Sequence, residues 1–273
     1  MTLPTLPTIS LPANYRPAPD RLKERVILVT GAGQGLGRAA ALAFARHGAT
    51  VVLHGRNVPK LEAVYDQIER EGLAQSAIVP LDFAKANQAD LDGFATAIQT
   101  TLGRLDGIFH AASHFVSPMP FELHDLETWM LHTKVNLAVP AALTRACLPM
   151  LKRSDNASVV FLTETHAIDP KAYWGPFAVV KSALAALTAI LADEASMPPL
   201  LRFNICHPGP VSSPMRAQSH PGELATALPS AESMSGAFLY LIGADSKDFT
   251  GCLFECQPST SGIGYQASPV SNP

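Results

Sequence analysis

The chain has 273 residues, with 20 Lys and Arg against 23 Asp and Glu, for a formal charge of −3. Only 16 % of residues are charged and 47 % are hydrophobic, where an average soluble domain has about 25 % charged. That balance excludes a basic footprint for nucleic acid or for an anionic membrane surface, and 18 Gly with 23 Pro stay below the ~25–30 % share of a low-complexity chain.

Residues 1–20 hold five prolines and no cationic leader, so they read as an extended arm rather than a signal peptide. From residue 25 onward, short β-branched runs alternate with helical stretches. The strand candidates are 25–30, 50–55, 77–82, 105–112, 158–163, 200–207 and 251–256. No run reaches the ~18 apolar residues of a spanning helix. Near-continuous apolar strands separated by helices predict an α/β fold, a parallel sheet covered on both faces and doubly wound by right-handed crossovers. One domain over 21–257 is expected, with a loose tail at 258–273 rich in Ser, Pro and Gly. Cys147, Cys206, Cys252 and Cys256 show neither metal nor redox spacing. Cys252 and Cys256 lie on one predicted strand, roughly 13 Å apart, beyond the ~7 Å between Cα atoms that a disulfide tolerates. Free thiols predict a reducing compartment, the cytoplasm.

The first strand runs into Gly31-Ala32-Gly33-Gln34-Gly35-Leu36-Gly37 and then a helix. Glycines there let backbone N–H groups approach a pyrophosphate, so the loop points to a dinucleotide. The second strand ends Leu53-His54-Gly55-Arg56-Asn57, with no acid to read a ribose 2′-hydroxyl and with Arg56 able to pair a 2′-phosphate, which predicts NADP(H). Asp82, with Phe83 after it, ends the third strand and either contacts the adenine or caps the next helix.

These features, with Val135-Asn136-Leu137, the tract around Phe177 and Lys181, and Pro208-Gly209-Pro210-Val211-Ser212-Ser213-Pro214-Met215, resemble the short-chain dehydrogenase/reductase family over roughly residues 22–257. The resemblance implies a seven-stranded sheet, hydride chemistry on a small-molecule carbonyl or alcohol with NAD(P)(H), and a cofactor bordered also by Ala111, Ala112, Lys181, Pro208, Gly209, Val211 and Ser213, the last on the nicotinamide carboxamide. It assigns four catalytic positions: Asn anchors a water, Ser holds the substrate oxygen, Tyr moves the proton and Lys lowers the Tyr pKa while holding the ribose. Here Asn136 and Lys181 are present, the Tyr position is Phe177 and the Ser position is Glu164. The family's Asn-Ala-Gly is Ala111-Ala112-Ser113.

Phe177 has no proton to move, and an ionised Glu164 would repel a developing alkoxide. A Glu164–Lys181 ion pair across the pocket is expected. Pro140 removes the N–H that would bond the carbonyl of Asn136, so a kink is expected there. Tyr173, Glu164, His166 and His110 are candidate replacement acids or bases; His166 reads otherwise as a solvated loop residue and His110 as a core histidine. Residues 212–229 form the segment that the family uses as a substrate lid, with Met215 and Leu224 supplying apolar contact. Three functions follow: an NADP(H)-dependent oxidoreductase with a substituted proton donor, a non-redox enzyme (isomerase, dehydratase or cyclase) using Glu164, or a cofactor-binding protein without turnover. Segments Ala183–Ala192 and Leu137–Leu148 are apolar nearly all round, and in this family they form the subunit interface, which implies a homodimer or homotetramer.

Overall fold

The computed structural model describes residues 6–12, 15–195 and 201–257. Its strands are β1 (Thr8–Ser10), β2 (Val26–Thr30), β3 (Thr50–Gly55), β4 (Ala77–Pro80), β5 (Gly107–His110), β6 (Ala157–Leu162), β7 (Leu201–His207) and β8 (Cys252–Glu255). They form one parallel sheet in the order β1-β8-β7-β6-β5-β2-β3-β4. The helices are α1 (Gly35–Arg46), α2 (Val58–Arg70), α3 (Gln88–Leu102), α4 (Leu126–Thr133), α5 (Val139–Leu151), α6 (Thr165–Ile168), α7 (Gly175–Glu194), α8 (Pro214–Ser219) and α9 (Ser235–Ile242).

Strand side chains alternate between two cores, as a period of two requires. Ile27, Val29, Val51, Leu53 and Phe109 pack toward α1 and α9, whereas Val26, Leu28, Val52, Ile108 and Phe161 pack toward α3, α5 and α7. Strand order reverses direction between β2 and β5. In an open parallel sheet that switch point opens a crevice at the carboxyl ends of the strands.

The sheet has eight strands rather than the expected seven. The addition comes from the proline-rich arm. Thr8, Ile9 and Ser10 pair with Leu253, Phe254 and Glu255 of β8, and Leu253 N–H donates to the Pro7 carbonyl at 2.9 Å. The physical reason is the edge: β8 would otherwise present a row of unpaired backbone groups, and a short extended run flanked by prolines satisfies it. Tyr15 continues the docking, stacking edge-on against Tyr240 at 5.1 Å and donating to Asp245 at 2.5 Å. The arm therefore packs on its own chain. Arm residues 1–5, 13 and 14 and the predicted tail 258–273 lie outside the described residues.

One further expectation is corrected, that no stretch is apolar enough to span a membrane, while the expected free thiols are present. Helix α7 is long and apolar enough to cross a membrane by length and composition; its Phe177, Val180, Lys181 and Leu184 are buried against the domain, while Val179 and Ile190 are exposed. Cys256 does have a thiol neighbour, but it is Cys206 on the adjacent strand, with 3.1 Å between sulfurs; both are free cysteines. Between α4 and α5, residues Lys134–Ala138 form a widened π turn in which Val139 N–H reaches back to the Lys134 carbonyl. Pro140 follows at once, so the departure from α geometry falls where the missing N–H predicted a kink.

Candidate functional site

A cleft of about 590 Å³ opens at the switch point. Glu164, Phe177, Lys181 and the residues expected around the cofactor line it; Asn136, Tyr173, His166 and His110 do not. At one end, β2 hands over to α1. Gly31 has φ +70°, and a Cβ there would lie 2.8 Å from the Ala112 backbone; a Cβ on Gly37 would lie 2.2 Å from the Gly31 carbonyl oxygen. Neither position has room for a side chain, so the backbone can turn tightly and bring the start of α1 to the cleft surface. Thr30 locks the turn to the neighbouring strand: its carbonyl accepts from Ala111 N–H at 3.2 Å and its hydroxyl oxygen from Ala112 N–H at 3.1 Å.

Arg56 follows β3 and is exposed at the cleft rim. Lys60, one turn into α2, also lines the cleft and donates to the Gln34 side chain. The sequence reading missed Lys60, although its spacing of four from Arg56 on a predicted helix could have signalled it. Asp82 lines the cleft and accepts from Ala84 N–H at 3.1 Å; it does not cap the next helix, because α3 is capped by Asn87 and Asp90. Phe83 stacks on His54 at 4.2 Å. Burial holds the His54 ring neutral, its pKa pulled down to about 4.

The other end of the cleft is built from side chains. Lys181 is buried and donates to the Leu162 carbonyl at 2.9 Å. Burial pulls its ammonium down to about 8, with the nearby Glu164 carboxylate opposing the drop. The expected direct ion pair with Glu164 is not formed. Glu164 Oε2 turns instead to His166 Nδ1, 3.0 Å away. The physical reason is that α6 begins immediately after Glu164 and carries His166 back over it. Nor is His166 a solvated loop residue: its ring is largely buried and stacks on Trp174 at 3.6 Å and 12°. Glu164 Oε1 is buried with no hydrogen-bond partner among the described residues.

Phe177 is 2 % exposed and lines the cleft. Phe115 meets it edge-on at 4.9 Å, and Trp174 lies 5.8 Å from Phe115 and 6.3 Å from Phe177. Tyr173 precedes α7 with φ +76° and is 60 % exposed, which leaves it outside the cleft. His110 is a buried core residue bonded to Thr144 at 2.9 Å and stacked on Phe161; burial above all pulls its pKa down to about 3. Asn136 sits behind the cleft wall. Its side chain accepts from Ser113 Oγ and His114 N–H and donates to the His114 carbonyl, each at 2.9 Å. It thereby pins the loop that carries His114 and Phe115 into the cleft, a role that only the tertiary structure reveals.

The third wall is the segment after β7. Pro208 and Pro210 carbonyls are held by the Gln257 amide at 2.7 and 2.8 Å, a clamp from beyond β8 that carries no local sequence signal. Ser213 caps α8, accepting from Arg216 N–H at 3.1 Å. Met215 lines the cleft as expected, but Leu224 does not: it is 73 % exposed on the outer side. Arg216 folds the segment back by pairing with Glu223 at 2.5 and 2.9 Å, which turns Leu224 outward.

Residues 25–224 match the family profile described as short chain dehydrogenase. The chain is 36 % identical over 245 residues to an oxidoreductase, YciK, of Escherichia coli (strain K12), covering 90 % of this chain and 96 % of that one. Among solved structures it is similar to a short chain dehydrogenase from Pseudomonas syringae, with a TM-score of 0.85 and 38 % identity over 90 % of this chain and 100 % of that one. It is similar also to a short chain dehydrogenase from Escherichia coli CFT073 complexed with NADPH, with a TM-score of 0.85 and 37 % identity over 89 % of this chain and 100 % of that one.

Proposed function

The chain belongs to the short chain dehydrogenase family, and within it we propose an NADP(H)-dependent oxidoreductase that works without the family's tyrosine proton donor. The observation that carries the cofactor is the rim of the cleft: Arg56 and Lys60 stand together there and the end of β3 has no acidic side chain. Two cations suit a 2′-phosphate, and Arg can meet it with two parallel hydrogen bonds. The glycine cradle fits a pyrophosphate at the start of α1. A similar structure complexed with NADPH supports the same choice.

Bound there, the cofactor supplies or accepts hydride. This chain's part is to hold and shape. Lys181 would hold the nicotinamide ribose and Ser213 the carboxamide; Phe177 and Glu164 stand at the family's Tyr and Ser positions. Phe177 offers apolar surface, not a proton. Asn136 acts by fixing the His114–Phe115 wall. A cleft of about 590 Å³ suits a small-molecule substrate. The unpartnered oxygen of Glu164 favours one second reading, a non-redox enzyme with that carboxylate as acid or base. We further read a homodimer or homotetramer through α5 and α7, whose exposed Val179 and Ile190 need a covering, and a cytoplasmic location on the four free cysteines.

Fluorescence titration of the chain with NADPH and NADH tests the cofactor. NADPH binding at least tenfold tighter is expected, and equal affinities would overturn the assignment. Product formed with no change in nicotinamide absorbance would replace hydride transfer by the non-redox reading.

A further inference from the structure

The closed end of the cleft is shaped for a positive charge. Glu164 lines the cleft, and its Oε1 is buried without a hydrogen-bond partner among the described residues. A buried acceptor left unpaired is costly, so it calls for a donor or cation from a ligand. The carboxylate cannot swing away to water, because Oε2 is held by His166 at 3.0 Å and His166 is clamped against Trp174. The cleft is lined also by Phe115, Trp174 and Phe177, three rings with centroids 4.9 to 6.3 Å apart, of which Trp174 stacks on the same His166 that holds Glu164. A carboxylate next to aromatic rings is the arrangement that receives an organic cation. Nearby stand Lys181, whose Nζ donates to the Leu162 carbonyl and lies 5.9 Å from the Phe177 ring centroid, and the His166 and His220 rings, 6.3 Å from each other.

We propose that this cleft takes an iminium cation, with Glu164 as its counter-ion and Phe115, Trp174 and Phe177 as its aromatic wall. The proposal rests on the NADP(H) oxidoreductase reading and names its substrate class. It also accounts for the lost proton donor. Reducing a carbonyl yields an alkoxide that must be protonated, whereas iminium plus NADPH gives neutral amine plus NADP⁺. Hydride forms the new C–H bond, the π pair of C=N becomes the lone pair on nitrogen, and no proton is consumed. Phe177 is then adequate, and the Glu164 charge, adverse to an alkoxide, is favourable to the substrate.

The test presents the NADPH-loaded chain with N-methyl-3,4-dihydroisoquinolinium and with the similarly sized neutral ketone 1-tetralone, following nicotinamide absorbance and product. Iminium kcat/KM at least 100-fold above that of the ketone is expected, with a loss of at least tenfold in Glu164→Gln. A readout free of turnover is calorimetric binding of tetraethylammonium to the unaltered chain, which should compete with the iminium; this stands even where the variant fails to fold. NADPH binding with a ketone reduced as well as the iminium, no iminium turnover, or no tetraethylammonium binding would each overturn the proposal while leaving the cofactor reading intact. Failure to bind NADPH at all would instead remove the reading on which it rests.

Discussion

The two ends of the cleft are made of different material. At the Gly31–Gly37 end, backbone does the work: Cβ atoms are excluded by contacts of 2.8 and 2.2 Å, and Thr30 ties the turn to β5. At the Glu164–Lys181 end, side chains do the work, and they form a chain of dependence in which Trp174 holds His166, His166 holds Glu164, and Glu164 supports the charge on Lys181. A backbone cradle tolerates change nearly everywhere except at its glycines. A side-chain pocket can be rebuilt by two substitutions. The contrast fits the proposed reading, in which the glycine end keeps the family pattern and the side-chain end departs from it at Phe177 and Glu164.

The largest expected effect would come from reversing that departure. In the double variant Phe177→Tyr with Glu164→Ser, a proton donor and a neutral hydroxyl return to the cleft. A general acid contributes roughly 10²–10⁴-fold, so NADPH-dependent carbonyl reduction should rise by about that factor over the parent. If it does not rise, the side-chain end has diverged beyond these two positions, with Ala111, Ser113 and the α8 segment next to examine. The opposite end should answer in the opposite sense. Gly37→Val drives a branched side chain into the Gly31 carbonyl, 2.2 Å from its Cβ. Because backbone cannot yield as a side chain does, NADPH affinity should fall by about 100-fold or the chain should fail to fold, with thermal unfolding as the check; overpacking of this kind costs roughly 1–3 kcal/mol or more. A tolerated Gly37→Val would break the distinction between the two ends.

A smaller effect sharpens the cradle end alone. Arg56→Gln removes one charged partner of the proposed 2′-phosphate and leaves Lys60. Hydrogen bonds to charged groups are worth about 1.5–3 kcal/mol, so NADPH affinity should drop about 10- to 100-fold while NADH affinity stays within about twofold. Titrating both nucleotides separates a lost phosphate contact from a damaged fold, which would weaken both.

The same contrast decides what could be read from sequence. The strands and the glycine loop were legible because each depends on near neighbours: short near-continuous apolar runs in β2, β3 and β6, and a strand, a loop and a helix in succession around Gly31–Gly37. The side-chain end was legible only by position. That Glu164 would turn to His166 rather than Lys181 depends on how α6 folds over β6. Gln257 reaches the Pro208 loop across 49 residues of chain, and Thr8–Ser10 find β8 across more than 240. Nothing local announces such pairings. The β1 edge strand illustrates the point: the prolines around Thr8–Ser10 say nothing of what that backbone pairs with.

The smallest expected effect is a pH dependence that only one end of the cleft should have. The backbone N–H groups of the Gly31–Gly37 cradle do not titrate, so their contact with the pyrophosphate should be flat with pH. Lys181 differs, because burial brings its ammonium down to about 8. Below that pH it is charged and can hold the nicotinamide ribose; above it the charge is lost. NADPH affinity should therefore weaken by a few-fold as pH rises through about 8, measured from pH 6 to 9.5. Glu164 is the nearby anion that favours the charged form. Neutralising it in Glu164→Gln removes that support, so the midpoint should move below 8. A midpoint that moved upward would mean that Glu164 does not act on Lys181 through its charge, and the dependence running from Trp174 to Lys181 would end at His166.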